Sequence, residues 1–286
     1  DALALIKKNN PLPAVCGHIC NRRCEDACTR GTIDQAIAID EVKKFIAEQD
    51  LNAEHRYIPP VVQPSNRGTF PQKIAIIGGG PAGLSCAFYL AEKGYHPTVF
   101  EKNPLPGGML VYGIPSFKLE KNVVAAEIDV LKEMGVEIKC GVEVGKDVTI
   151  ASLREQGYEA FYISIGCQGS RALNIPGEDA EGVMSAVELL HTTTENESYA
   201  INGRSVVIGG GNVAMDCARS AVRCGAAEVK VVYRRRKEDM TALITEIDSA
   251  AEEGVEFLTL QAPESIEKDA DGNCAALIAQ PQMIGA

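Results

Sequence analysis

The sequence has no tryptophan, four histidines and 5% aromatic residues. General acid–base chemistry through histidine therefore has few candidates. No apolar run approaches the roughly 20 residues that a membrane span needs. The opening DALALIKKNN has no basic-then-apolar order and no cleavage site, so it does not read as a signal peptide. No Cys-x-x-Cys occurs, which leaves the dithiol chemistry of thioredoxin reductase-like flavoproteins unsupported. Positive charge is in deficit: the formal net charge of −11 argues against sequence-independent phosphate binding, and so against nucleic acid as a partner. These absences predict a cytoplasmic protein with no membrane span.

What is present is ordinary in bulk and unusual in detail. The 286 residues suffice for two domains at roughly 150 residues each. Hydrophobic residues make up 45% and charged residues 23%, as in soluble globular proteins. Ten cysteines are many for a chain without a secretory signal, and four of them fall within 16–28. Outside oxidising compartments, clustered cysteines bind metal or do redox work more often than they form disulfides.

The hydrophobic pattern divides the chain. Residues 1–50 read as a small helical, cysteine-rich domain, in which Ile39, Val42, Phe45 and Ile46 mark an amphipathic helix. Residues 51–72 carry prolines and little periodicity and read as a linker. KIAIIG at 73–78, a helix from Leu84 to Gly94 and the strand HPTVFE form one βαβ unit. A helix over roughly 119–135 and the strands VEIKC and FYISIG follow. The pattern restarts near 203: GRSVVIG, a helix over about 213–224, VKVVY, a helix over about 241–254 and VEFLTL. DADGN between two β-like runs predicts a terminal hairpin. Strands alternating with helices predict an α/β fold built on largely parallel sheets. The expected division is one dinucleotide-binding unit at 73–195 and another at 196–286.

In IIGGGPAG, Gly78, Gly80 and Gly83 stand at the G-x-G-x-x-G spacing. The first glycine allows the tight turn, the second lets backbone approach a pyrophosphate, and the third lets helix and strand pack closely. The helix that starts at Pro81 and Ala82 offers unpaired N–H groups to the phosphate. Glu101, at the end of the next strand and followed by Lys102, suits the ribose hydroxyls of an adenosine. In VVIGGGNVAMD, Gly209 and Gly211 repeat the pattern before Asn212 and Val213, with Ala214 as the third small residue. No acid ends the next strand; Arg234, Arg235 and Arg236 follow Tyr233. Arginines pair with a 2′-phosphate where an acid would repel it, so the second nucleotide is expected to be NADP(H). Two dinucleotide sites imply hydride transfer between a nicotinamide and a second redox cofactor, usually a flavin.

Cys16, Cys20, Cys24 and Cys28 recur every four residues in AVCGHICNRRCEDACTRG, and on one helix they would form a broad stripe. Thiolate ligation of an iron–sulfur cluster is the specific reading, although the spacing differs from the ferredoxin run. Zinc is the alternative. The six other cysteines, scattered over helices and strands, read as small packing residues.

Taken in order, NPLPAVCGHICNRRCEDACTRG, IAIIGGGPAGLSCAFYL, GGMLVYGIPSFKLEK, YISIGCQGSRALNIPGED and VVIGGGNVAMDCARSA with VVYRRRKEDM resemble the small-subunit family of NADPH-dependent glutamate synthase. That family extends to the N-terminal part of dihydropyrimidine dehydrogenase. The resemblance implies FAD on the first unit, with Gly78, Gly80, Gly83 and Glu101 at its ADP half. It further implies Gly108, Met109, Leu110, Gly113, Ile114 and Gly166 near the flavin, and NADPH at Gly209, Gly211, Asn212, Val213, Arg234 and Arg235. Electrons would run between NADPH, FAD and [4Fe–4S] centres and feed a partner redox subunit or domain. Relatives carry further cluster cysteines upstream of the point where this chain begins, and a Glu or Gln ligand where Lys43 stands here. They also continue past the second unit to a Gly-Asp contact with the flavin, so the chain reads as part of a longer protein. A nucleotide-binding docking module without turnover is the alternative function. No glutaminase or synthase part is present, so glutamate production is not expected of this polypeptide itself.

Overall fold

The computed structural model describes residues 2–61, 70–196 and 198–284. They form two compact units, residues 1–167 and 168–286. Part of the expected linker, residues 62–69, lies outside the described residues.

The first unit opens with α1 (Ala2–Lys7), α2 (Pro13–Ile19), α3 (Arg23–Asp26), a 3-10 turn at Thr29–Thr32, and α4 (Ile39–Leu51). Pro13 starts α2 with a preset helical φ, where its missing N–H costs nothing. Helices α2 and α4 meet at Gly17, where an added Cβ would come within 2.7 Å of the Lys44 Cβ. Helix α4 forms where the periodicity predicts, but its expected apolar face points outward. Ile39, Val42 and Phe45 are exposed, while Asp40 and Ala47 are buried and only Ile46 of the four packs on the core. Close packing against α2 turns the small Ala47 inward and leaves the bulky residues outside.

The rest of this unit is β1 (Lys73–Ile77), α5 (Pro81–Glu92), β2 (His96–Glu101), α6 (Met109–Tyr112), α7 (Lys121–Glu133), β3 (Glu137–Cys140), α8 (Ile150–Glu155) and β4 (Tyr158–Ile163). The sheet is parallel throughout, in the order β3-β2-β1-β4. Four of the five β1 residues are buried, as a continuous apolar run predicts for a strand covered on both faces. Ile76, Leu84, Phe88 and Leu131 are fully buried in one core that also takes in Val15 of α2 and Ala47 of α4. Each such aliphatic or aromatic side chain contributes about 1.5–3 kcal/mol. The cysteine-rich helices thus share a core with the first βαβ unit. A buried ion pair joins them further: Lys7 Nζ lies 3.7 Å from Glu127 Oε1 on α7, and Arg56 lies 3.5 Å from the same oxygen. Burial pushes Lys7 down and Glu127 up from their ordinary values.

The second unit holds α9 (Ala186–Glu195), β5 (Arg204–Ile208), α10 (Asn212–Arg223), β6 (Glu228–Tyr233), α11 (Ile244–Glu252), β7 (Glu256–Thr259), and the hairpin β8 (Gln261–Lys268) and β9 (Cys274–Pro281). Strands β5, β6 and β7 are parallel neighbours, and β8 pairs β9 antiparallel. Residues 168–195, expected to close the first unit, belong to this one. Leu189 and Leu190 of α9 pack on Cys217 of α10, and Ile266 of the hairpin donates its N–H to the Pro176 carbonyl at 2.8 Å. These contacts are specified by apolar and backbone pairing between segments distant in sequence.

Candidate functional site

The first glycine turn joins β1 to α5. Gly78 has φ +102°, and a Cβ there would strike the Ser164 carbonyl oxygen at 2.4 Å. A Cβ on Gly83 would lie 2.0 Å from the Gly78 oxygen, so the third glycine is required for helix–strand approach. Gly80 differs. Its backbone is extended, and a Cβ would meet nothing nearer than the Gly108 Cα at 3.8 Å. Glycine at this position relieves no clash; it keeps the face of the turn open at the N-terminus of α5, where Pro81 and Ala82 are exposed. That is the cradle that a pyrophosphate requires.

Glu101 ends β2 at 4% exposure. Its Oε2 accepts the Gly79 N–H and its Oε1 the Asn103 N–H, both at 2.8 Å. The carboxylate therefore braces the turn as well as offering its remaining lone pairs to a ribose. Lys102 beside it is exposed. The loop leading into α6 docks on the same turn: Gly107 N–H donates to the Gly79 carbonyl at 2.8 Å, and Gly108 lies against Gly80. Leu110 and Gly113 are buried, and Met109 and Ile114 are half-buried. The structure thus brings the GGMLVYGI stretch to the glycine turn. Gly166 lies past the end of β4, exposed, with φ +72°. Sequence reasoning missed Ser164, whose Oγ donates to the Ile77 and Gly78 carbonyls at 3.1 and 3.0 Å. A single serine after an apolar strand carries no spacing signal.

The second turn joins β5 to α10. A Cβ on Gly211 would find only the Thr241 Oγ1, at 3.5 Å, so this middle glycine also leaves an open face. Tyr233 covers Gly210, with ring atoms 2.7 Å from where a Cβ would stand, and its hydroxyl donates to the Asp239 carbonyl at 2.9 Å. The Gly210 carbonyl accepts the N–H groups of Thr241 and Ala242, and Asn212 Oδ1 accepts that of Leu243 at 2.9 Å. The 241–243 segment is a second feature that sequence reasoning missed, because nothing in its composition marks it as a brace. Asn212 and Val213 are exposed at the start of α10. After β6, Arg236 is committed to Asp239 through two bonds of 2.9 and 2.8 Å. The exposed Arg234 and Arg235 have no side-chain hydrogen bond or ion pair among the described residues, which leaves both guanidinium groups available to a phosphate.

The cysteine block is not one helix. Cys16 lies on α2, Cys20 is extended beyond its end, Arg22 takes a left-handed φ of 55°, and Cys24 lies on the short α3 ahead of Cys28. Backbone reversal at Arg22 breaks the expected stripe. Cys20 Sγ accepts the Arg22 N–H at 3.5 Å, and backbone N–H groups led by that of Ile37 hold the Cys28 thiol below its usual range. Burial pushes Cys16 up, and Lys43, paired with Asp40 at 2.6 Å, pulls the other way. Among the described residues, no group of three or more His, Cys, Asp or Glu side chains is arranged to hold a metal ion. Cys16, Cys20, Cys24 and Cys28 are thus not gathered around one point in this arrangement.

A family model described as pyridine nucleotide-disulphide oxidoreductase matches residues 72–284. The chain belongs to that family. A second model, described as dihydropyrimidine dehydrogenase domain II, 4Fe-4S cluster, matches residues 1–55. The NADP(+)-dependent formate dehydrogenase subunit beta of Moorella thermoacetica is 39% identical over 93% of this chain and 40% of the relative. The glutamate synthase [NADPH] small chain of Escherichia coli (strain K12) is 37% identical over 97% of this chain and 60% of the relative. The chain therefore spans only about half the length of these two relatives. Mycobacterium tuberculosis FprA in complex with NADPH shares the fold, with a TM-score of 0.61, 21% identity, and coverage of 75% of this chain and 70% of that one. Residues 72–284 thus carry the pyridine nucleotide-disulphide oxidoreductase domain, and residues 1–55 match a 4Fe–4S cluster domain. Each glycine turn leaves an open face at a helix N-terminus, the arrangement that a dinucleotide pyrophosphate requires. Among the described residues no helix is long and apolar enough to cross a membrane.

Proposed function

We propose that this chain is the electron-input module of a larger cytoplasmic NADPH-dependent oxidoreductase. NADPH binds at Gly209, Gly211, Asn212, Val213, Arg234 and Arg235, and FAD at Gly78, Gly80, Pro81, Ala82, Gly83 and Glu101, with Gly108–Ile114 beside the flavin. FAD, when bound, accepts a hydride from a nicotinamide and passes its electrons on singly. The chain's own residues bind and orient: the α5 and α10 N-termini seat the phosphates, and Arg234 and Arg235 select the 2′-phosphate. The observation that carries this reading is the contrast between the two turns. Both middle glycines leave open faces, but a buried carboxylate ends one second strand, and two arginines free of side-chain partners among the described residues follow the other.

The match of residues 1–55 supports an iron–sulfur centre as the class of acceptor, and the subunit names of the relatives support a partner subunit or domain as its destination. Because the four cysteines are not gathered, no transfer step is assigned to them. A nucleotide-binding docking module without turnover would keep both glycine turns and both arginines, and hydride transfer to FAD is what separates the two readings.

Gly80 and Gly211 have extended backbones that valine can adopt, so substitution fills each open face without straining its turn. Calorimetric titration is expected to show Gly80→Val losing FAD and keeping NADPH, and Gly211→Val the reverse. Loss of FAD from Gly211→Val alone would exchange the two assignments.

A further inference from the structure

Lys121 opens α7 and has no part in the dinucleotide assignments above. Its Nζ donates to the Leu110 carbonyl at 3.1 Å and to the Ile114 carbonyl. Ile114 follows the C-terminal end of α6, and Leu110 lies within it. The opposite end of the same short helix rests on the first glycine turn: Gly107 N–H bonds the Gly79 carbonyl, and a Cβ on Gly108 would come within 2.8 Å of the Gly80 Cα. One ammonium group thus fixes the piece of backbone that lies against the open face of the turn.

The charge on this lysine has no counter-ion among the described residues. Among the described residues no carboxylate pairs with it, and its two partners are neutral carbonyls. Burial alone lowers it to about 8; no charged side chain on α7 or on the helices packed against it contributes, and the adjacent Glu120 is exposed. A desolvated cation without an anion is a cost to the fold. That cost is offset if negative charge develops nearby when a ligand is bound or reduced.

We propose that Lys121 is a positioning residue for the flavin, holding Leu110–Ile114 against the first glycine turn and supplying a positive charge that favours electron uptake. This rests on the assignment of FAD to the first unit. The charge is present below about pH 8 and is lost above it.

The test is a potentiometric titration of the FAD-loaded chain as wild type, Lys121→Met and Lys121→Arg, at pH values on either side of about 8. On the acid side, Lys121→Met is expected to show a lower flavin midpoint than wild type and roughly tenfold weaker FAD binding, the effect of losing one hydrogen bond from a charged donor. On the alkaline side the wild type should move toward Lys121→Met, while Lys121→Arg, whose guanidinium stays charged, should keep the offset. Equal midpoints for wild type and Lys121→Met on the acid side overturn the proposal. So does a Lys121→Arg chain that follows the wild-type pH dependence, and this comparison decides alone if Lys121→Met cannot hold FAD. A wild-type chain that takes up no FAD overturns the flavin assignment and this inference with it, before any variant is made.

Discussion

At the residue scale, the two halves of the molecule treat equivalent positions differently. Glu101 is buried and bonded to its own turn, whereas Arg234 and Arg235 stand exposed after theirs. Replacing both arginines with alanine should weaken NADPH binding by about a hundredfold or more, at roughly one charged hydrogen bond each, and leave NADH nearly unchanged. Equal losses for both nucleotides, measured by competition binding, would remove the 2′-phosphate assignment. The glycine spacing was readable from the sequence because each glycine answers a local steric demand, visible here as the 2.0 Å approach that a Cβ on Gly83 would make. Ser164, Thr241 and Lys121 were not readable as parts of the site. Each reaches its partners across a chain reversal or from another element, and such contacts leave no period in the sequence.

At the element scale, the strands and longer helices follow the apolar periodicity closely. β1, β5 and β6 fall where continuous apolar runs predicted, and DADGN turns the β8–β9 hairpin. Two elements did not follow. The outward stripe of Ile39, Val42 and Phe45 shows that a helical period identifies a helix without saying which face another helix will claim. The cysteine block shows that a four-residue spacing suits one helix or two short helices with a reversal between them. In the second unit, Glu253 joins α10 to the end of α11: it accepts from Arg219 at 2.8 Å and from Arg223 at 2.6 Å. The two guanidinium groups hold its carboxyl down at about 2, against an ordinary 4.5. Its contribution is therefore complete above pH 4.5 and lost as the pH falls toward 2. Glu253→Gln should cost on the order of 1 kcal/mol near neutrality after solvent screening, and less in acid. Urea denaturation across that range checks this; a cost that does not shrink in acid would contradict it.

At the scale of the whole molecule, the chain is two compact α/β units, each built around a parallel sheet and an open glycine turn, with cysteine-rich helices sharing the core of the first. On the proposed reading, the division of labour follows from the chemistry at the end of each second strand: a buried carboxylate in one unit and exposed arginines in the other. Hydride transfer between bound rings asks the protein for binding and orientation, which suits a chain with only four histidines. The most direct test is the visible absorption spectrum of the chain supplied with FAD, recorded without oxygen before and after NADPH is added. A flavin band that appears on the protein and bleaches with NADPH is the predicted result. A bound flavin that NADPH leaves oxidised would contradict hydride transfer between the two sites.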